Sequence, residues 1–128
     1  MGETDLDTLQ FFDAHPGALA LFAALEDAIY ARFPETRKRV QKTQITYYHR
    51  HVFACVSFAR VRRKAELPET WLTLTLGRPY PLGSARAAVT TEAWPGRWTT
   101  HIVLGSVAEL DGELMAWLEQ AYDFSERK

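Results

Sequence analysis

Six side chains suited to holding an oxyanion recur at strand spacing. Trp71-Leu72-Thr73-Leu74-Thr75-Leu76 alternates strictly, so the leucines share one face and Thr73 and Thr75 the other. In Trp98 to Leu104, residues Trp98, Thr100, Ile102 and Leu104 share a face, which leaves Arg97, Thr99 and His101 opposite. In an earlier segment Lys42, Gln44 and Thr46 share a parity against Ile45 and Tyr47. If helices cover the leucine face, the opposite face carries Lys42, Gln44, Thr73, Thr75, Arg97 and His101. Ammonium, guanidinium, amide and hydroxyl donors suit phosphate or carboxylate oxygens. A plainly solvated sheet face has the same pattern, because Thr is favoured in strands anyway.

A second basic group is Arg60-Val61-Arg62-Arg63-Lys64, with Arg37-Lys38-Arg39 before it. Such a cluster can neutralise the phosphates of a nucleic acid, and Tyr47, Tyr48 and Phe53 offer stacking surfaces. It can equally be an ordinary charged loop; no helix-turn-helix, zinc-finger or RNP pattern accompanies it. His101 with Glu92 is the best acid/base pair available, and Arg97 beside them would stabilise developing negative charge, as in a small hydrolase. No nucleophile motif supports that chemistry. His49 and His51 would share a face on a continuous strand, with His101 as a third metal ligand, but at a hairpin tip they diverge. Cys55, between Ala54 and Val56 in mid-strand, is expected to be buried and inert. No metal-ligand spacing, Walker motif or dinucleotide glycine pattern is present, so neither metal nor cofactor is expected.

These residues need a sheet to position them. Asp5 can cap a short helix ending near Asp13. Pro16 suits the first turn of a second, in which Ala18, Leu21, Phe22, Leu25, Ala28, Ile29 and Phe33 form an apolar face and Glu26 and Asp27 point away. Pro34 ends it. Val40 to His49 and His51 to Ala59 read as strands joined near Arg50, the second central because both its faces are apolar. Arg60 to Pro68 is a charged loop. Trp71 to Leu76, Arg86 to Glu92 and Trp98 to Leu104 complete five strands, with Trp94-Pro95-Gly96 as a turn and Trp98 as a core anchor. Ser106-Val107-Ala108-Glu109 matches a capping box for a last helix whose stripe is Val107, Leu110, Leu114, Trp117, Leu118 and Ala121. Gly112 is out of place inside it, at a cost of about 1 kcal/mol relative to Ala. The order implies an α+β fold: an antiparallel sheet of about five strands, with N-terminal helices and a C-terminal helix packed mainly on one face.

Composition bounds the rest. The chain has 128 residues, 47% hydrophobic and 24% charged, which fits one globular domain and excludes disorder for most of its length. The expected organisation is a single domain over 1–128, with 1–15 a short helix and linker and 16–125 the core. A lone cysteine excludes an internal disulfide. The acidic N-terminus and the absence of a bilayer-length apolar run point to a cytoplasmic protein with no membrane partner. The net charge of −1 divides as −6 over residues 1–31, +9 over 32–64 and −4 over 65–128. A basic middle between acidic ends either attracts an anionic partner or is neutralised by the molecule's own helices.

Several stretches together resemble a known family. They are Lys42-Thr43-Gln44-Ile45, Arg50 to Phe58, Trp94-Pro95-Gly96-Arg97-Trp98-Thr99-Thr100-His101, and Leu110-Asp111-Gly112-Glu113-Leu114 with Trp117, Ala121 and Tyr122. The chain resembles, over roughly residues 10–125, a bacterial family of small α+β proteins, domain of unknown function 5655. That family is itself distantly similar to small YdhG-like domains. The resemblance implies a nucleic-acid context through fused restriction- and nuclease-type modules, and no catalytic residues. Gly112 departs from it, where a second acidic residue is expected. The expected function is therefore a non-enzymatic binding module for an anionic ligand: nucleic acid, phosphorylated metabolite or acidic peptide. The alternatives are the hydrolase built on His101, Glu92 and Arg97, and a domain that dimerises through a sheet edge.

Overall fold

A computed structural model describes residues 6–127. Helix α1 (Leu6–Phe11) comes first; Asp5, expected to cap it, lies outside the described residues. A turn of 3₁₀ helix from Pro16 leads into α2 (Leu19–Arg32). Leu21, Phe22, Leu25 and Ile29 bury one face of α2, and the chain leaves the helix at Phe33, whose helical conformation Pro34 disfavours. Glu26 does not point away as its polarity suggested. It is 2% exposed, because Lys38 Nζ (2.9 Å) and the Tyr47 hydroxyl (2.8 Å) meet its carboxylate from below.

Six antiparallel strands follow, one more than the sequence suggested. They are β1 (Arg37–Val40), β2 (Gln44–Tyr48), β3 (Val52–Ser57), β4 (Leu72–Arg78), β5 (Ala87–Trp94) and β6 (Arg97–Leu104), in the spatial order β1-β2-β3-β4-β6-β5. The extra strand is the basic run before Val40. It lies at the sheet edge, where Arg37 and Arg39 stay exposed while Lys38 turns inward to Glu26. Charge on an edge strand is no obstacle to pairing with β2 and discourages pairing with another chain.

The period-2 reading of the sheet holds. Leu72, Leu74, Leu76, Ile102 and Leu104 lie on the buried face with Ile45, Ala54 and Val56, under α2 and α3 (Gly112–Glu126). An irregularity in the β2–β3 pairing turns Phe53 into this core, against Phe33 and Tyr122, and leaves Val52 exposed. Trp98 is half-buried at the margin and does not anchor the core.

The capping-box residues Ser106 and Glu109 close a separate turn, Val107–Glu109, and Val107 is exposed. Helix α3 begins later, with Asp111 as its cap accepting from the Leu114 amide at 3.0 Å. Gly112 therefore occupies the first helical position, where its cost is small. Asp111 and Glu113 also hold Arg86 at 3.0 Å, which ties the segment before β5 to the start of α3.

Candidate functional site

The face of the sheet turned away from α2 and α3 is built from rows of directly opposed residues. One row crosses the whole sheet: Arg39, Thr46, Cys55, Thr75, His101 and Val89. The next row runs Gln44, Ser57, Thr73, Val103. The expected parity is therefore the observed one, and it follows from the pleat alone.

The six expected ligand-binding residues share this face or its border but do not converge. His101 Nδ1 and the Thr75 hydroxyl are 2.8 Å apart at its centre. Burial holds the His101 imidazole below its usual pKa, so the ring is neutral near pH 7. Thr73 is fully buried, and its hydroxyl donates to the Ala59 carbonyl at 2.8 Å, which pins the loop after β3. Arg97 lies four residues along β6 from His101, about 13 Å at strand rise, opposite the exposed Trp94.

Lys42 and Gln44 stand at the other end, around a groove of about 440 Å³. Its walls are Phe11, Lys42, Thr43, Gln44, Ser57, Phe58 and Ala59. A second hollow of about 370 Å³ shares Phe11 and Lys42 and extends past Gln41 to Asp7 and Gln10 of α1. The polar wall is ordered. Thr46 donates to Gln41 Oε1 at 2.7 Å, and Gln44 Nε2 donates to the Thr46 hydroxyl at 3.1 Å. The Ser57 hydroxyl accepts from the Ala59 amide at 3.2 Å and keeps its own proton for another acceptor. The apolar wall is a cluster: Phe58 stacks on Phe11 and on His15, and meets Trp71 edge-on.

The electrostatics of the basic middle divide in two. Lys38 pairs with Glu26 and Arg32 with Glu119, so the acidic helices neutralise part of it, and His49 makes a 2.9 Å contact with Glu126. In the 60–64 loop Arg63 pairs with Glu66 and Arg62 donates to the Ala85 carbonyl, while Arg60 and Lys64 are exposed. Arg37, Arg39, Lys42, Arg60 and Lys64 have no carboxylate partner among the described residues. Arg39 lies over the ring of Tyr48 at 5.1 Å. Of the three aromatics suggested for stacking, only Tyr48 is accessible; Tyr47 and Phe53 are in the core.

Other expected constellations do not assemble. Glu92 is paired in register with Trp98 on the helix-side parity and accepts from the Gly96 amide at 3.2 Å, so it does not orient His101. His49 and His51 dock the β2–β3 hairpin on the end of α3, His51 against the Ser125 carbonyl at 3.0 Å. Among the described residues no three His, Cys, Asp or Glu side chains are grouped to hold a metal. No helix among the described residues is long and apolar enough to cross a membrane. Cys55 is half-buried on the open face, not in the core, and its thiol contacts the Thr46 hydroxyl at 3.8 Å. Burial pushes that thiol's pKa up, which keeps it protonated. Sequence reasoning missed Phe11 and Phe58 as walls of the groove and Gln41 as a wall of the adjoining hollow. The apolar types of Phe11 and Phe58 signalled only core, and no local pattern links α1 to the turn between β1 and β2.

No curated protein and no solved structure matches this chain. Residues 9–125 match the family model described as Domain of unknown function (DUF5655), and the chain belongs to that family.

Proposed function

We propose that the protein is a non-enzymatic module that binds an anionic ligand at the Lys42 groove and along the adjoining basic edge. One observation carries the reading: Lys42, without a carboxylate partner among the described residues, lines a groove with a hydroxyl- and amide-bearing wall and an aromatic wall, and Arg37 and Arg39, likewise unpaired, stand on the adjoining β1 edge. Its volume lies within the range of ligand pockets. An aromatic wall beside a cation suits a ligand with a flat ring and a phosphate, that is, a nucleotide unit, free or within a single strand. Lys42 would meet the phosphate, Gln44 and Ser57 would orient the ligand, and Arg39 over Tyr48 would extend the surface. Arg60 and Lys64 would add long-range attraction. Thr75 and His101, neutral and paired, would contribute hydrogen bonds only where a longer ligand crosses the sheet.

Fluorescence anisotropy tests this with labelled single-stranded DNA, duplex DNA and RNA across a salt series, with mononucleotides as competitors. Binding should weaken as salt rises, with log K falling by about 0.7 per phosphate contact for each unit of log salt on single strands. The Arg39→Glu/Lys42→Glu variant should lose most of the affinity and flatten the slope. No binding of any of these probes at low salt, or full affinity in the variant, overturns the reading. A second reading, self-association, is favoured by β5, which pairs only with β6 and exposes Val89 and Trp94. Light scattering at two concentrations addresses it.

A further inference from the structure

Glu26 and Arg78 are the two charged side chains buried among the described residues, at 2% and 4% exposure. Burial of an ion is tolerated where a counter-ion or a full set of hydrogen bonds replaces water. Glu26 has both, from Lys38 and Tyr47. Arg78 has neither. Its one side-chain hydrogen bond among the described residues runs from Nη1 to Gln120 Oε1, and its Nε is buried without a partner among them. The ring of Tyr80 lies 5.4 Å from the guanidinium carbon. Arg86, under the same helix α3, is the internal control: it is less buried, yet it holds Asp111, Glu113 and the Glu109 carbonyl.

A second buried polar atom lies on the same face. Arg78 is opposite Trp98 and Leu76 is opposite Thr100, so Arg78 and Thr100 are diagonal neighbours, about 7–8 Å apart. The Thr100 hydroxyl is also buried, with no partner among the described residues. Both unpartnered groups can donate, and what is missing is an acceptor. With Nη1 occupied, the edge of the guanidinium formed by Nε and Nη2 is the one that takes two oxygens of a carboxylate or phosphate side by side. Tyr80 and Gln120, which cover Arg78, are both exposed residues on the outer surface. One of these two side chains would have to rotate to admit a ligand to the guanidinium.

We infer that Arg78 anchors a second anion site on the helix side of the sheet, in which a small oxyanion bridges the Arg78 Nε–Nη2 edge and the Thr100 hydroxyl beneath Tyr80 and Gln120. Burial lowers the pKa of Arg78, in keeping with a charge that lacks its counter-ion. The site is separate from the Lys42 groove, on the opposite face of the sheet.

The test is thermal unfolding in sodium acetate and in sodium phosphate, against sodium chloride at equal ionic strength, alongside the Arg78 Nε–Hε resonance in a ¹⁵N spectrum. One oxyanion should raise the midpoint saturably and shift the Arg78 resonance with the same concentration dependence. A response to acetate alone assigns a carboxylate ligand, and a response to phosphate alone assigns a phosphate. Arg78→Lys keeps the charge, loses the two-pronged edge and should abolish the response. Lys42→Glu should retain it, which separates this site from the groove. Gln120→Ala, a change at an exposed residue, should tighten binding and keeps the test valid if Arg78→Lys does not fold. An unmoved Arg78 resonance with both anions, or the same midpoint shift in Arg78→Lys, overturns the inference.

Discussion

The two faces of this sheet are made from the same strands and solve opposite problems. On the face under α2 and α3, polar groups are few; Glu26 is joined by Lys38 and Tyr47, and the surroundings are Leu25, Ile29, Ile45 and Leu74. On the open face, polar groups are the rule. Thr46, Gln41 and Gln44 bond to one another, Thr75 bonds to His101, and Arg39 keeps its charge at the margin. The first face compensates Glu26 fully and leaves the Arg78 Nε and the Thr100 hydroxyl, among its described residues, without partners. The second leaves donors and cations over, and surplus donors are what recognition of an anion requires. Arg78 is the exception that links the two: a surplus cation on the covered side.

The comparison can be broken by substitutions matched across the sheet. The largest effect should come from Glu26→Gln, which leaves Lys38 facing a neutral amide in a buried site and should cost about 3–5 kcal/mol. Urea unfolding measures it, and pairing the change with Lys38→Met should return part of the loss. A loss no larger than that of an exposed substitution would mean that the covered face does not depend on its ion pair. Next in size is Leu74→Ala, expected to cost about 2–5 kcal/mol through a cavity under the helices. Its neighbour Thr75→Ala, on the open face, should cost about 1 kcal/mol, since it removes one half-buried hydrogen bond. Equal losses at positions 74 and 75 would erase the distinction between the faces.

The smallest effect is a pH dependence. The folded-state pKa of His101 lies below the unfolded value, so on acidification the unfolded chain takes up its proton first. Stability should therefore fall as pH drops below about 6.5, and level off below the folded pKa. His101→Asn should remove that component of the slope. If the slope between pH 7 and 5 is unchanged in the variant, His101 is not the group that titrates.

Much of the fold was legible because periodicity survives folding. Leu72-Thr73-Leu74-Thr75-Leu76 and Arg97 to Leu104 declare their two faces, since a pleated strand sends alternate side chains opposite ways whatever packs on them. The β1 strand was not legible. Arg37-Lys38-Arg39 carries no apolar alternation, and its pairing depends on an edge position and on a buried carboxylate on α2. Glu26 is hidden for the same reason: its type says solvent, and Lys38 and Tyr47, from other elements, make burial possible. The capping box was real at Ser106 and Glu109, but local pattern could not tell that it closes a turn, or that Asp111 caps α3 five residues later.

The candidate site divides in the same way. Residue order alone dictates which residues face away from the helices, because that depends on parity, and composition alone dictates the cationic middle. Packing between distant segments set the rest. It buried Thr73 under Ala59, separated Glu92 from His101, gave Lys38 to Glu26 and left Lys42 beside Phe11 and Phe58. Parity and charge are properties of neighbouring residues along the chain. Which charges remain unpaired, and which of them border a hollow, depends on contacts between segments tens of residues apart, and those exist only once the chain has folded.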